Sequence, residues 1–231
     1  MLVLNHRPIH TVIFDMDGLI INNSYIYRLA YQAAAKNLGY TIDDDLYNRF
    51  LGVPHDVCNQ ILVASFGDDF PCGDFSVEVD REYELLIKTT PNIFHEGFAP
   101  LLAFLKDHQI KLGLATSSTL AKVQFHFHNS PYLDAFDFIA TTEDLTCPKP
   151  DPEIYHLSLD RLDSSPDTTI VLEDSNQGMR AAIAAGCLAI MIPRIDPPAT
   201  DVARSATMIL DSLQDLIPQL QSKEKIGAYQ S

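Results

Sequence analysis

Short apolar runs recur along the chain and limit its fold more than any other feature. They are Val12-Ile13-Phe14, Leu112-Gly113-Leu114-Ala115, Phe138-Ile139-Ala140, Thr169-Ile170-Val171-Leu172, Ala189-Ile190-Met191-Ile192 and Met208-Ile209-Leu210. A strand with one wet face alternates apolar and polar residues; these do not, so both faces are expected to be buried. Between the later runs lie stretches of helical period: Phe98 to His108, Glu153 to Leu162, and Gly178 to Ala185 closed by Gly186. Such alternation predicts an α/β fold, a doubly wound parallel sheet covered by helices on both sides. Ligands of such sheets bind beyond the carboxyl ends of the strands, which directs attention to the polar residues after each run.

Residues 22–90 break this pattern and carry no strand signal. Tyr25, Leu29, Ala30, Ala33, Ala34 and Leu38 keep a helical period up to Gly39, after a start at Asn22-Asn23-Ser24. Pro54 opens a further helix with Val57, Ile61 and Leu62 on one face, and Val77 to Thr89 predicts another after a loop holding Gly67, Pro71 and Gly73. Asp43-Asp44-Asp45 fits a solvated first helical turn better than a metal site. The expected division is an α/β core, 1–21 and 91–231, with an inserted helical module, 22–90. The tail from Gln221 to Ser231 is polar and expected to fray.

Apolar residues make up 46% and charged residues 20% of the 231, the composition of an ordinary globular protein. A net charge of −15 argues against a nucleic-acid backbone or an anionic membrane surface as partner. An anionic substrate would have to be drawn in by a metal or by a few placed cations. No apolar stretch reaches transmembrane length and no charged leader precedes an apolar run, so a cytoplasmic protein is expected, with a monomer as the default. Cys58, Cys72, Cys147 and Cys187 form no CxxC pair and read as small buried hydrophobes in a reducing compartment.

The first run leads without a polar buffer into Asp15-Met16-Asp17-Gly18. Residues two apart on an extended backbone face the same side, so Asp15 and Asp17 are expected to converge at the strand end, where Gly18 permits a sharp turn. Converging carboxylates repel, and they suit a divalent metal or an acid/base pair; an acidic turn is the plain alternative. Thr116-Ser117-Ser118 follow the second run, Glu173-Asp174-Ser175-Asn176 follow another, and Lys149 lies in the proline-stiffened Cys147 to Pro152. Singly, these read as helix caps and a solvated lysine. Together they suit phosphoryl transfer. Mg²⁺ takes hard oxygen ligands, and a phosphate needs the hydroxyls of Thr116 and Ser117 and the point charge of Lys149. His126-Phe127-His128 reads as part of a surface helix or loop, since a two-residue gap splits the imidazoles across a helix.

In order and spacing, Asp15-Met16-Asp17-Gly18, Thr116, Lys149 and Glu173-Asp174 resemble the four motifs of the haloacid dehalogenase-like (HAD) hydrolases. The helical insert resembles the small cap of the β-phosphoglucomutase-like branch. Leu114 to Ser118, Lys149 to Ile154 and the tail Asp211 to Asp215 look most like the pseudouridine-5′-phosphatase-like members. The resemblance implies a HAD-like core with an α-helical cap, and a Mg²⁺-dependent phosphomonoester hydrolase acting on a small nucleoside or sugar monophosphate, pseudouridine 5′-phosphate among the candidates. It implies that Asp15 is the nucleophile, forming an aspartyl-phosphate, and Asp17 the general acid and base. Metal would be held by Asp15, Asp17 through its carbonyl, and Asp174, with Glu173 as ligand or support. Thr116, Ser117 and Lys149 would hold the phosphate.

Two departures bear on the substrate. The cap hinge of the family usually reads Asp-Thr-Glu, where this chain has Asn22-Asn23-Ser24. The cap arginine with which sugar-phosphate mutases grip a second phosphate corresponds to His55, a weaker anion clamp and a candidate specificity residue. A phosphomutase is therefore the second reading and a catalytically silent binding module the third.

Overall fold

The structure, a computed structural model, describes residues 1–51, 53, 55–90 and 93–222, the side chains of residues 55, 56, 221 and 222 excepted. It divides into two compact units, residues 1–21 with 94–231 and residues 22–93. The first unit opens with a hairpin, β1 (Leu2–Leu4) and β2 (Arg7–Ile9), whose two-residue turn places Asn5 at φ 48° and His6 at φ 64°. Both turn residues are left-handed, the geometry that matches the twist of the paired strands. The sequence reading has no strand before Val12, because three-residue runs around Pro8 carry too little pattern. Strand β3 (Thr11–Phe14) follows and lies at the centre of the main sheet.

Five further strands complete that sheet: β4 (Lys111–Ala115), β5 (Phe138–Ala140), β6 (Thr169–Glu173), β7 (Leu188–Met191) and β8 (Met208–Ile209). All pairings are parallel, in the order β5-β4-β3-β6-β7-β8. The chain thus builds outward from β3 to β5, then crosses back to β6 and builds the other way. The switch point falls at β3, with Phe14 level with Leu114 on β4 and with Leu172 on β6. The doubly wound expectation holds. A short β9 (Gln221–Ser222) pairs antiparallel with β1, at the other end of the chain, so the fraying expected from Gln221 does not hold for these two residues; the rest of that tail lies outside the described residues.

Alternation along β3 divides the core. Ile13 faces one side with Ala115, Val171 and Met191, against Tyr155 and Leu159 and against Met179 and Ala182. These come from α7 (Glu153–Arg161) and α8 (Asn176–Ala184). Phe14 faces the other side, edge-on to Phe98 at 5.9 Å and Phe136 at 6.1 Å, and Phe94 stacks on Phe98 at 5.8 Å. Phe98 opens α5 (Phe98–Asp107), and α6 (Leu120–Phe127) ends in Phe127, which meets Phe94 at 5.4 Å. The last helix, α9 (Thr200–Ser205), is too short to show a period in the sequence.

The second unit holds α1 (Ser24–Asn37), α2 (Asp44–Asn48), α3 (His55–Phe66) and α4 (Cys72–Thr89). Asp43 caps α2 by accepting from the Leu46 amide, and Asp44 and Asp45 occupy its first turn, as the macrodipole favours. Helix α4 starts five residues before the expected Val77. Phe75, Val79, Tyr83 and Ile87 form one buried stripe at four-residue spacing, and Pro71 sits just before the first turn, where its missing N–H is harmless. Tyr27 stacks on Tyr83 at 4.2 Å, and Tyr31 meets the edges of Tyr47 and Phe75. The expected helix-opening residue Pro54 and the side chain of His55 lie outside the described residues.

The hairpin offers a test. A glycine adopts a left-handed φ without the strain that a β-carbon imposes. His6→Gly should stabilise the protein by roughly 0.5–1 kcal/mol, read as a rise in denaturant midpoint at constant slope.

Candidate active site

The carboxyl ends of β3, β4 and β6 meet at the switch point, and each delivers chemistry. Asp15 continues the β3 ladder, donating its N–H to the Leu172 carbonyl at 3.0 Å. The chain then folds back on itself, with the amides of Ile20 and Ile21 donating to the Met16 carbonyl. Gly18 makes this turn at φ +86°, and any side chain there would run into the Asp174 carboxylate. Glu173 is the last residue of β6 and is fully buried. Thr116 follows β4, is buried, and accepts from the Ser118 amide at 3.0 Å.

Lys149 ties these ends together. Its ammonium donates to Asp15 Oδ1 at 2.6 Å, to Glu173 Oε1 at 2.7 Å and to the Ala115 carbonyl at 3.0 Å. Glu173 is itself held from the far side. Tyr155 donates to Oε1 at 2.7 Å, and the Ser175 hydroxyl donates to Oε2 at 3.0 Å. The same Ser175 oxygen caps α8 by accepting from the Gly178 amide at 3.0 Å. A β-carbon at Gly178 would overlap the Glu173 carboxylate, so glycine there makes room for the acid.

Asp15, Glu173 and Asp174 bring one oxygen each within 4.8 Å of one another. The Asp17 side chain turns elsewhere: Ser118 donates to its Oδ2 at 2.6 Å, and Lys122 lies 3.9 Å from Oδ1. The expected convergence of Asp15 and Asp17 is thus a sharing of one cleft, with each carboxylate held by different partners. The cleft has a volume of about 210 Å³ and is lined by Asp15, Asp17, Thr116, Ser117, Lys149, Asp174, Ser175 and Gln177.

The charges in this cleft are unbalanced. Burial pushes the Asp15 carboxyl well above its ordinary range; Lys149 pulls it down, while Glu173 and Asp174 add to the rise. Burial and the Glu173 charge push Asp174 up to about 7. Burial disfavours the Lys149 ammonium, but Asp15 and Glu173 outweigh it and raise its pKa. Three carboxylates face one ammonium, and the donor set is all oxygen. A hard divalent cation fits these residues, with Asp15 and Asp174 offering oxygens and Glu173 committed to Lys149, Tyr155 and Ser175.

Residues 12–192 match the family described as haloacid dehalogenase-like hydrolases. The chain belongs to that family. It is 34% identical to the phosphorylated carbohydrates phosphatase of Thermotoga maritima, over 76% of this chain and 81% of that one. It is 24% identical to a Drosophila melanogaster protein named as a probable pseudouridine-5′-phosphatase, over 92% of this chain and 94% of the relative. A crystal structure from Thermotoga maritima, provisionally named a β-phosphoglucomutase, superposes with a TM-score of 0.80 at 27% identity, covering 91% of this chain and 97% of the other. The chain is a HAD-like phosphatase of the β-phosphoglucomutase-like branch. Among the described residues, no helix is long and apolar enough to cross a membrane.

The site of this HAD-family chain holds more than its motifs. Tyr155, Gln177 and Lys122 are absent from the sequence-based site, and Ser118 and Ser175 stand in it only as strand-end residues without a role. Tyr155 had one available signal, since a tyrosine on the core face of a helix needs a partner for its hydroxyl. The expected surface position of His126 is wrong: its ring is buried on α6, because Phe127 and Val123 turn that helix inward. Cys58 and Cys187 are buried as expected, whereas Cys147 is exposed and Cys72 half-buried.

The Asp174 shift predicts a pH dependence for metal-free protein. Its folded pKa, about 7, exceeds the ordinary 3.8, so its contribution to stability is fully present below the lower value and lost as pH rises through the upper. In EDTA at about pH 8, Asp174→Asn should raise Tm by about 3 °C or more, since roughly 1 kcal/mol moves Tm 2–4 °C at this chain length. The variant should also flatten the decline of Tm from acid to neutral pH.

Proposed function

We propose that the chain is a Mg²⁺-dependent phosphomonoester hydrolase acting on a small sugar or nucleoside monophosphate. The observation that carries this reading is the Lys149 ammonium 2.6 Å from Asp15 in a cleft shared with Asp17, Thr116, Ser117 and Asp174. A carboxylate is repelled by a dianionic phosphate, and an adjacent buried cation removes much of that barrier. Asp15, the Asp17 carbonyl and Asp174 would hold Mg²⁺, which when bound would supply further neutralisation of the phosphate charge. Thr116, Ser117 and Lys149 hold those oxygens while Asp15 attacks phosphorus, giving an aspartyl-phosphate. Asp17 protonates the departing oxygen, then takes a proton from the water that hydrolyses the intermediate. Glu173 orients Lys149 and does not touch substrate.

The helical unit is the cap that selects the leaving group, a role supported by its insertion directly after the first motif. The carbohydrate phosphatase and the pseudouridine phosphatase among the relatives support the two substrate classes. The Thermotoga structure supports a phosphomutase as second reading. The absence of a cap arginine at residue 55 supports hydrolysis over phosphate transfer between positions of one sugar.

The test is phosphate release from a panel of monophosphates with and without Mg²⁺, including pseudouridine 5′-phosphate, common nucleotides, hexose phosphates and glycerol phosphates. Mg²⁺-dependent release is expected, and Asp15→Asn should lower kcat by at least about 10³-fold with the fold intact by circular dichroism. Isomerisation of a sugar phosphate without release would instead establish the mutase.

A further inference from the structure

Asp17 is held by a set of side chains outside the four motifs. Ser118, in the turn after β4, donates to Oδ2 at 2.6 Å, and Lys122 stands 3.9 Å from Oδ1. Thr119 caps α6 by accepting from the Lys122 amide at 3.3 Å, which fixes the first turn and the direction in which the lysine leaves it. His126 is buried one turn further along the same helix, and Lys122 is the α6 cation in ion-pair range of Asp17. The Ser118 hydrogen bond anchors one carboxylate oxygen, and the Lys122 ammonium stands in ion-pair range of the other, so the two contacts restrict rotation of the group.

We propose that Lys122, with Ser118, is a positioning residue for Asp17 in the second half of the reaction. That half begins with the aspartyl-phosphate on Asp15. The oxygen of a water bonds to phosphorus, the bond from phosphorus to the Asp15 oxygen breaks, and the water proton passes to the Asp17 carboxylate. The next substrate's leaving oxygen then takes that proton from Asp17, which closes the cycle. Lys122 and Ser118 keep the Asp17 oxygens aligned on the water and act through Asp17 alone. The inference rests on the hydrolase reading and adds to it the group that orients its base.

The experiment uses the full chain with saturating Mg²⁺ and p-nitrophenyl phosphate, whose leaving group departs without a proton, so the second half limits turnover. Lys122→Met is expected to lower kcat about tenfold with KM falling in parallel, leaving kcat/KM within about twofold, because only the later step is slowed. A burst of p-nitrophenolate approaching one per active site should accompany it. Lys122→Arg should retain most of the turnover. The lysine side chain is one-third exposed, so its replacement opens no buried cavity, and melting temperatures of the variants should match. A parallel fall in kcat and kcat/KM without a burst, an arginine variant as slow as the methionine one, or an unchanged Lys122→Met in a wild type that turns over would each overturn the inference alone. A wild type that releases no phosphate from this ester overturns the hydrolase reading itself.

Discussion

A single ammonium, buried between carboxylates at the crossing point of the sheet, sets the terms for the whole site. Lys149 reaches Asp15 from β3, the Ala115 carbonyl from β4 and Glu173 from β6, so one side chain contacts the ends of all three central strands. Burying such a charge is tolerable only because every direction it faces holds an acceptor, and removing one partner from a pair of this kind costs about 3–5 kcal/mol. The arrangement explains why Glu173 is present although it is occupied by Lys149, Tyr155 and Ser175. Without it, Lys149 would balance Asp15 alone and lose the contact that aims it.

The same cluster leaves the protein with more negative charge than the site can neutralise. Asp174 is pushed to about 7 and Asp15 also upward, so the metal-free fold carries an electrostatic cost at neutral pH. A chain selected for stability alone would replace one of these acids by an amide. Keeping them fits the proposed cation and phosphate site better than it fits the resting fold. The remote field works against an anionic substrate, since the chain carries a net charge of −15, and the attraction must be generated within a few ångströms of phosphorus.

The parts legible in the sequence were those with a strong period or a rigid spacing. Uninterrupted apolar runs announced a buried parallel sheet, and strand-end position singled out Asp15, Thr116 and Glu173. The hairpin at Leu2 to Ile9 was hidden because Arg7-Pro8 breaks any apolar run in its second strand, and the pairing of Gln221 with Val3 because Gln221-Ser222 is polar and its partner lies at the other end of the chain. The residues of the site that the sequence did not single out were those on helices: Tyr155, Gln177 and Lys122. Tyr155 and Lys122 lie on faces whose other members are ordinary core or surface, and only the fold brings them to Glu173 and Asp17. His126 shows the reverse error, since a polar residue between aromatics looks exposed until its helix is docked.

The two places where the helical unit interrupts the core are neighbours in space. Ile21 and Phe94 form an antiparallel bridge, and His95 donates to the Ile20 carbonyl at 2.8 Å. For the core, the intervening residues are a loop whose ends are already stitched together. The entropy of closing a loop rises only with the logarithm of its length, so residues can be gained or lost there at a cost of about 0.6 kcal/mol per doubling. The backbone that aims Asp15 is insulated from such changes by the bridge. An insert at this point can therefore change in length while the strand end that carries Asp15 keeps its place.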